Sequence, residues 1–305
     1  MKVSLQRFFK LHVWLLLFAS LSSVAHNDIE RIVVSGGSIT EIIYAFNEQA
    51  RIVGVDSTSV FPSDAAAKPQ VGYVRRINVE GILSLNPDLL LGEADTGPEK
   101  VLKQLTSTGL KTHIFNENDN FAGVENKIAK IAQLLDVEEK GQQLIDHISK
   151  DRNALKHLLS QVTNNPKVLF VLNIRSGQPI VSGSGTSAHE VITAAGANNI
   201  AATHFTGWKP LSTEAAMAMN PDFIIAMGRH GQDKVVDLTN IPHFKFSNAV
   251  KNNQVLIFDG SYLLGMGPRT PQAVTELAST LHPYAKLPHG YQFSALPSTH
   301  KTESL

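Results

Sequence analysis

Short apolar runs alternate with stretches of helical periodicity along most of this chain. The runs at 32–34, 88–91 and 167–172 are each followed by residues whose apolar positions recur at helical spacing. Continuous apolar runs are typical of strands that are covered on both faces of a sheet. The alternation therefore predicts an α/β fold with mostly parallel sheets.

Local signals place the first helix boundaries. Ser38 is followed three residues later by Glu41, which predicts a capping box at the start of the first helix. Pro98 suits the first turn of a later helix and Gly109 its end.

One long amphipathic stretch divides the chain near its middle. Residues 137–162 carry an apolar stripe at helical spacing without proline, after a break near Asp136. About 26 residues at 1.5 Å each span roughly 39 Å as a helix. Two interpretations stay open: a stiff helix that links two lobes with little relative motion, or a surface helix of a single domain.

An internal repeat favours two lobes. The segment 80–91 matches the segment 214–225, and every matched pair lies 134 positions apart. We therefore predict two similar lobes, 26–136 and 163–284, joined by one long helix with a ligand cleft between them.

The chain ends predict export. Residues 1–25 combine early basic residues, an apolar run too short to span a bilayer and small residues before a cleavage site, as in a signal peptide. Residues 285–305 show little periodicity and are predicted to form a loose tail.

The net charge argues against one class of partner. Without the signal segment 1–25, the chain has 24 basic and 27 acidic residues, so the mature protein is weakly acidic and has no attraction for nucleic acid.

Cysteine is absent from all 305 residues. A disulfide framework is therefore excluded, and so is a lipid anchor on a cysteine at the cleavage site. We expect a protein that is free in the periplasm.

Catalytic motifs are also missing. The chain has no Gly-x-Ser-x-Gly elbow, no His-Glu-x-x-His zinc motif and no phosphate loop, and its glycine-rich stretch 182–189 lacks the Gly-Lys-Ser/Thr ending. These absences favour a binding protein over an enzyme.

One tyrosine and one arginine stand two residues apart just before the first copy of the repeat. If Tyr73 and Arg75 lie in an extended segment, their side chains share one surface. A tyrosinate is a known axial ligand of haem iron, and a neighbouring cation favours the ionised phenol. On composition alone, a half-buried loop tyrosine and a solvated arginine are the favoured interpretation.

The segment 71–88 reads VGYVRRINVEGILSLNPD and resembles the tyrosine-containing block of periplasmic haem-binding proteins of bacterial ABC importers. The stretches 35–42 (SGGSITEI) and 265–271 (GMGPRTP) agree with it, and the similarity extends over roughly 31–283. The strand and helix layout is shared with siderophore- and cobalamin-binding relatives, which remain the alternative.

The resemblance implies haem as the transported ligand, Tyr73 as the axial iron ligand and Arg75 as its partner. It also implies an inner-membrane permease as partner, with an outer-membrane haem receptor as upstream donor. Glu80 and Glu214, one per lobe, match glutamates with which related binding proteins dock on their permeases. Stabilisation of a helix start is the alternative role for both carboxylates.

The second lobe offers three further candidates. The repeat places His204 three positions before the counterpart of Tyr73, where it would face the cleft as a contact or second axial ligand. Trp208 would form an apolar wall. Arg229 follows the predicted strand 223–227, and ligands of open α/β sheets bind beyond the carboxyl ends of strands. A surface histidine and a solvated loop arginine are the alternatives.

Overall fold

The computed structural model describes residues 29–228 and 237–293. The predicted signal segment 1–25, Arg229 and residues 294–305 of the predicted tail lie outside the described residues.

Strands alternate with helices through both halves of the chain. The strands are β1 (Ile32–Ser35), β2 (Ile52–Val55), β3 (Gly72–Tyr73), β4 (Arg76–Ile77), β5 (Leu89–Glu93), β6 (Lys111–Phe115), β7 (Lys167–Arg175), β8 (Gln178–Ser182), β9 (Asn198–Asn199), β10 (Trp208–Pro210), β11 (Phe223–Gly228) and β12 (Val255–Asp259). The helices are α1 (Gly37–Ala45), α2 (Val79–Leu83), α3 (Glu99–Ser107), α4 (Phe121–Leu134), α5 (Glu138–Leu159), α6 (Ser187–Ala194), α7 (Thr213–Met219), α8 (Asn248–Lys251), α9 (Gly260–Leu264) and α10 (Thr270–Leu281).

Each lobe is built on one sheet. The first sheet has the order β2-β1-β5-β6 and is parallel throughout. The second has the order β10-β8-β7-β11-β12, with β9 beside β7, and its β7, β11 and β12 are parallel. The prediction of mostly parallel sheets is confirmed. Strand β8 is antiparallel to both neighbours, and the turn that leads into it has Ser176 and Gly177 at positive φ, as tight hairpins require.

The sequence repeat corresponds to the same helix–turn–strand unit in both lobes. Asn78 caps α2 by accepting from a backbone N–H at 2.8 Å, and Ser212 caps α7 in the same way at 3.2 Å. Both units then turn on an asparagine with positive φ, Asn86 at 45° and Asn220 at 41°. The two lobes therefore share local geometry as well as residues.

Helix α5 connects the lobes. It has 22 residues, so it is about 33 Å long, and it begins after a residue with positive φ, Asp136. Its buried face includes Leu144, Ile148, Leu155 and Leu158, which belong to one apolar core shared with β1, β5, β7 and β11. Because one core runs through both lobes, a hinge motion between them would have to break it.

The predicted capping box is wrong. Helix α1 begins at Gly37, and its N-cap is Gly36, which has φ 142° and no side chain with which to cap. The backbone N–H of Gly36 instead donates to Asp56 Oδ1 at 2.8 Å. Ser38 and Glu41 are buried and reach partners far away in the chain, because a polar group inside the protein must find a hydrogen bond.

Glu41 forms a buried ion pair with Arg269, 228 positions later. The guanidinium donates to both carboxylate oxygens, at 2.6 and 2.9 Å, and lies 3.6 Å from the ring centre of Phe61. Burial raises the pKa of Glu41, and the hydrogen bonds and charge of Arg269 oppose that shift. This pair ties the start of α10 to α1.

A second buried cation lies beside this pair. Lys127 Nζ in α4 contacts Glu93 at 2.9 and 3.0 Å, Ser38 Oγ at 2.9 Å and the carbonyl oxygen of Met266 at 3.5 Å. Ser38 Oγ donates to Glu93. We refer to Ser38, Glu41, Glu93, Lys127 and Arg269 as the buried ionic network.

The first part of the predicted tail packs against α5 and the segment that follows it. Ala285 is buried, and Gln161 exchanges two hydrogen bonds with the backbone of Lys286, at 2.8 and 3.2 Å. The hydroxyl of Tyr291 donates to Asp151. Over 285–293 the structure therefore differs from the expectation of a loose tail, because these residues find partners along the helix.

We expect Arg269→Ala to lower the free energy of unfolding by about 3–5 kcal/mol, because it leaves the Glu41 carboxylate buried without its counterion. Urea unfolding measures the change. The matched control is Lys103→Ala, which breaks a 2.7 Å pair with Glu99 whose side chains are 75% and 79% exposed. That control should change the free energy of unfolding little, because water screens an exposed ion pair. Equal losses in the two variants would contradict a stabilising role for the buried pair.

Candidate ligand site in the cleft between the lobes

Tyr73 lies at the end of a short hairpin. Strands β3 and β4 pair Tyr73 with Arg76, and Val74 and Arg75 form the turn between them. Residues 74 and 75 are therefore not extended, so the condition under which Tyr73 and Arg75 would share one surface is not met. Tyr73 is 46% exposed and Arg75 is also exposed, whereas Val74 is buried.

The hairpin is held by its backbone. Val74 O accepts from Gly97 N at 2.9 Å, and Ile77 N donates to Gly97 O at the same distance. On the other side, Ser57 N donates to Gly72 O at 2.8 Å, just beyond the carboxyl end of β2. Tyr73 is thus an exposed aromatic side chain on a firmly bound support at the edge where the strands of the first sheet end.

Arg75 is paired with a residue that the sequence analysis missed. Its Nη2 lies 2.9 Å from Oδ2 of Asp95, with side chains 66% and 41% exposed. Asp95 follows the carboxyl end of β5, and that position was the available signal. The role of Arg75 as partner of a Tyr73 phenolate stays a prediction.

A cavity of about 180 Å³ lies where the two lobes meet. It is lined by residues before and at the start of α4, along α6 and near the start of α10, namely Asp119, Asn120, Phe121, Glu190, Val191, Thr193, Ala194, Met266, Thr270 and Val274. We call it the floor cavity.

Asp119 is exposed at the floor cavity, yet the surrounding protein raises the pKa of its carboxyl group. Desolvation raises its pKa, Lys127 lowers it, and the negative charges of Glu190 and Asp95 raise it further. The carboxylates of both lobes therefore act on one another here.

The second-lobe candidates lie on separate elements. Trp208 in β10 is half-buried and pairs with Ser182, and its ring packs edge-on against Phe170 with centres 5.9 Å apart. His204 is exposed in the turn after β9. Arg229 lies outside the described residues. The ligand-binding roles of these residues stay predictions.

Glu80 and Glu214 occupy equivalent exposed positions in the first turns of α2 and α7. Backbone and Ser212 hydrogen bonds lower the pKa of Glu214, with a small contribution from His243, so this carboxylate is ionised at neutral pH. Their docking roles stay predictions.

Residues 32–262 match the family model described as periplasmic binding protein. The chain belongs to this family. It is a family of binding proteins rather than of enzymes, in agreement with the missing catalytic motifs. Across 29–228 and 237–293, no helix has both the length and the apolar character needed to cross a membrane.

Three solved structures are similar to this chain over nearly their full length. The periplasmic heme-binding protein RhuT from Roseiflexus sp. RS-1 is 34% identical, with a TM-score of 0.77, covering 84% of this chain and 99% of that one. BhuT in complex with two hemes is 35% identical, with a TM-score of 0.77, covering 83% and 98%. HutB of Vibrio cholerae is 33% identical, with a TM-score of 0.73, covering 83% and 99%.

More distant sequence relatives bind another ligand or carry a lipid. The vitamin B12-binding protein of Yersinia pestis is 28% identical over 218 residues, covering 71% of this chain and 76% of the relative. The ABC transporter substrate-binding lipoprotein YvrC of Bacillus subtilis is 27% identical over 249 residues, covering 81% and 78%.

We expect Gly72→Ala to destabilise the hairpin that carries Tyr73. Gly72 has φ 114°, and a Cβ there would lie 2.5 Å from the carbonyl oxygen of Arg76, so the loss should be about 3 kcal/mol. Gly109→Ala is the control, because Gly109 has φ 90° but open space around it, and it should cost about 1 kcal/mol. Thermal unfolding of both variants measures the difference. Similar losses of stability in the two variants would show that the close approach to the Arg76 carbonyl adds nothing to the cost of Gly72→Ala.

Proposed function

We propose that this chain is a periplasmic carrier that captures ferric haem and delivers it to an ABC importer of the inner membrane. The observation that carries the proposal is the exposed Tyr73 on its backbone-anchored hairpin at the carboxyl edge of the first sheet. Similarity to proteins named as periplasmic heme-binding, at 33–35% identity over 98–99% of their length, supports it.

In this function Tyr73 binds ferric iron through its phenolate oxygen. A free phenol titrates near 10, so ionisation at neutral pH depends on the Lewis acidity of the ferric ion and on nearby positive charge. Arg75 provides that charge from the adjacent turn, where Asp95 holds it. Reduction to ferrous iron weakens the bond, because the softer ion gains less from an anionic oxygen.

The second lobe supplies the remaining contacts. Trp208 presents an apolar surface to the porphyrin, and His204 contacts the haem or completes its axial ligation. Arg229 pairs with a propionate or with Tyr73. The sequence repeat supports the role of His204, and the position of Arg229 after the strand at 223–228 supports its role.

Cobalamin is the second candidate ligand, because a vitamin B12-binding protein is 28% identical over 218 residues. Equilibrium titrations with haemin and with cyanocobalamin separate the two ligands. The haem assignment requires binding of haemin with a ferric–tyrosinate absorption spectrum.

We expect Tyr73→Phe to remove the ferric–tyrosinate charge-transfer band and to weaken haemin binding more than about 100-fold, because it deletes only the ligand oxygen. Tyr284→Phe is the control, since Tyr284 is 95% exposed and should change neither property. Absorbance titration of the mature protein measures both. Retention of the band and the affinity in Tyr73→Phe would refute the assignment of the ligand.

We also propose that Glu80 and Glu214 dock the carrier on basic residues of the permease, and that an outer-membrane haem receptor is the upstream donor. Exposure and equivalent positions in the two lobes support docking. Since the chain contains no cysteine, we infer that the exported protein carries no lipid on a cysteine.

We expect Glu80→Ala and Glu214→Ala to leave haemin affinity unchanged but to lower stimulation of the importer's ATPase by at least about tenfold each, because each removes one interfacial charge pair. Glu99→Ala is the matched control, an exposed glutamate in the first turn of α3. ATPase assays with the permease complex in lipid nanodiscs measure the effect. Full stimulation by both single variants and the double variant would exclude docking through these residues.

A further inference from the structure

The floor cavity is built by both lobes and is largely apolar. Its apolar lining comes from α4, α6 and the region of α10, and consists of Phe121, Val191, Ala194, Met266 and Val274. At about 180 Å³ it exceeds the 150 Å³ or so that holds one benzene ring. It therefore has room for one edge of a porphyrin, whereas the rest of the macrocycle would stand in the open cleft.

Carboxylates lead from the Tyr73 hairpin to this cavity. Asp95 forms an ion pair with Arg75, and the negative charges of Asp95 and Glu190 both raise the pKa of Asp119. Lys127 is the cation that acts on Asp119, but it already contacts both oxygens of Glu93. The mouth of the floor cavity is consequently acidic.

Polar donors inside the cavity are few. The hydroxyl of Thr270 is buried and has no hydrogen-bond partner among the described residues. A propionate placed here would meet only the neutral donors of Thr270, Asn120 and Thr193 while lying next to the carboxylates of Asp119 and Glu190. A neutral vinyl or methyl substituent meets no such repulsion and buries its carbons against the apolar lining.

We propose that haem enters the cleft with its vinyl-bearing edge in the floor cavity and its propionates at the outer rim. The inference rests on the proposed function, and it makes the residues of α6 at the cavity, with Asp119, determinants of ligand orientation. Ala194 is the position that sets the space available to the vinyl groups.

The experiment compares three iron porphyrins on one set of variants. Haemin, deuterohaemin (hydrogen in place of each vinyl) and haemin dimethyl ester are titrated into the wild type, Ala194→Phe and Asp119→Asn. We expect Ala194→Phe to weaken haemin about tenfold, roughly the contribution of one buried vinyl group, and to weaken deuterohaemin by no more than about threefold. Asp119→Asn should change the affinities for haemin and its dimethyl ester by the same factor.

Controls separate the sources of failure. Ala218→Phe, an exposed helical alanine in α7, should affect no ligand. Thr193→Phe narrows the same cavity from an exposed position, so it replaces Ala194→Phe if circular dichroism shows that the latter is unfolded.

The outcomes decide between orientation and function. Selective strengthening of haemin over its dimethyl ester by Asp119→Asn would place the propionates on the floor and overturn the orientation. Equal weakening of haemin and deuterohaemin by the cavity-narrowing variant would also overturn it. Absence of haemin binding by the wild type would instead refute the proposed function.

Discussion

The buried pair between Glu41 and Arg269 is the contact on which the shape of the cleft depends. Two segments 228 positions apart meet there, and the cost of desolvating both charges is offset by bidentate geometry and by the ring of Phe61. Together with Lys127 and the apolar core that runs through both lobes along α5, this pair fixes how the lobes sit relative to one another. A cleft held in this way is largely preformed, so a ligand does not have to supply the free energy for a large closure.

Local features of the fold could be predicted from the sequence because they depend on neighbouring residues. The apolar runs become β1, β5 and β7, and the 134-residue repeat becomes two units with the same caps and the same asparagine turns. Partner choice over long distances could not be predicted. Ser38 and Glu41 have the spacing of a capping box, but burial directs them to the buried ionic network. Helical spacing carries no information about a partner on another element.

The candidate site shows the same division. Tyr73 is exposed between the buried valines Val71 and Val74. The turn at Val74, which pairs Tyr73 with Arg76, is seen only in the structure. That turn sends Arg75 to Asp95, a residue from the end of another strand. The acidic mouth of the floor cavity could not be read from the sequence either, because Asp119 and Glu190 come from different lobes.

Binding and delivery are coupled in the proposed function by the shortness of one segment. Only six residues separate Tyr73 from Glu80, and among them Ile77 is buried and Asn78 caps the helix on which Glu80 lies. The segment is also fixed at its start, because Gly97 forms two backbone hydrogen bonds with the hairpin, to Val74 and from Ile77. A partner that binds and displaces Glu80 would therefore also displace the hairpin that carries Tyr73. Because the core is shared between the lobes, moving a whole lobe would break it, whereas this short segment lies outside that core.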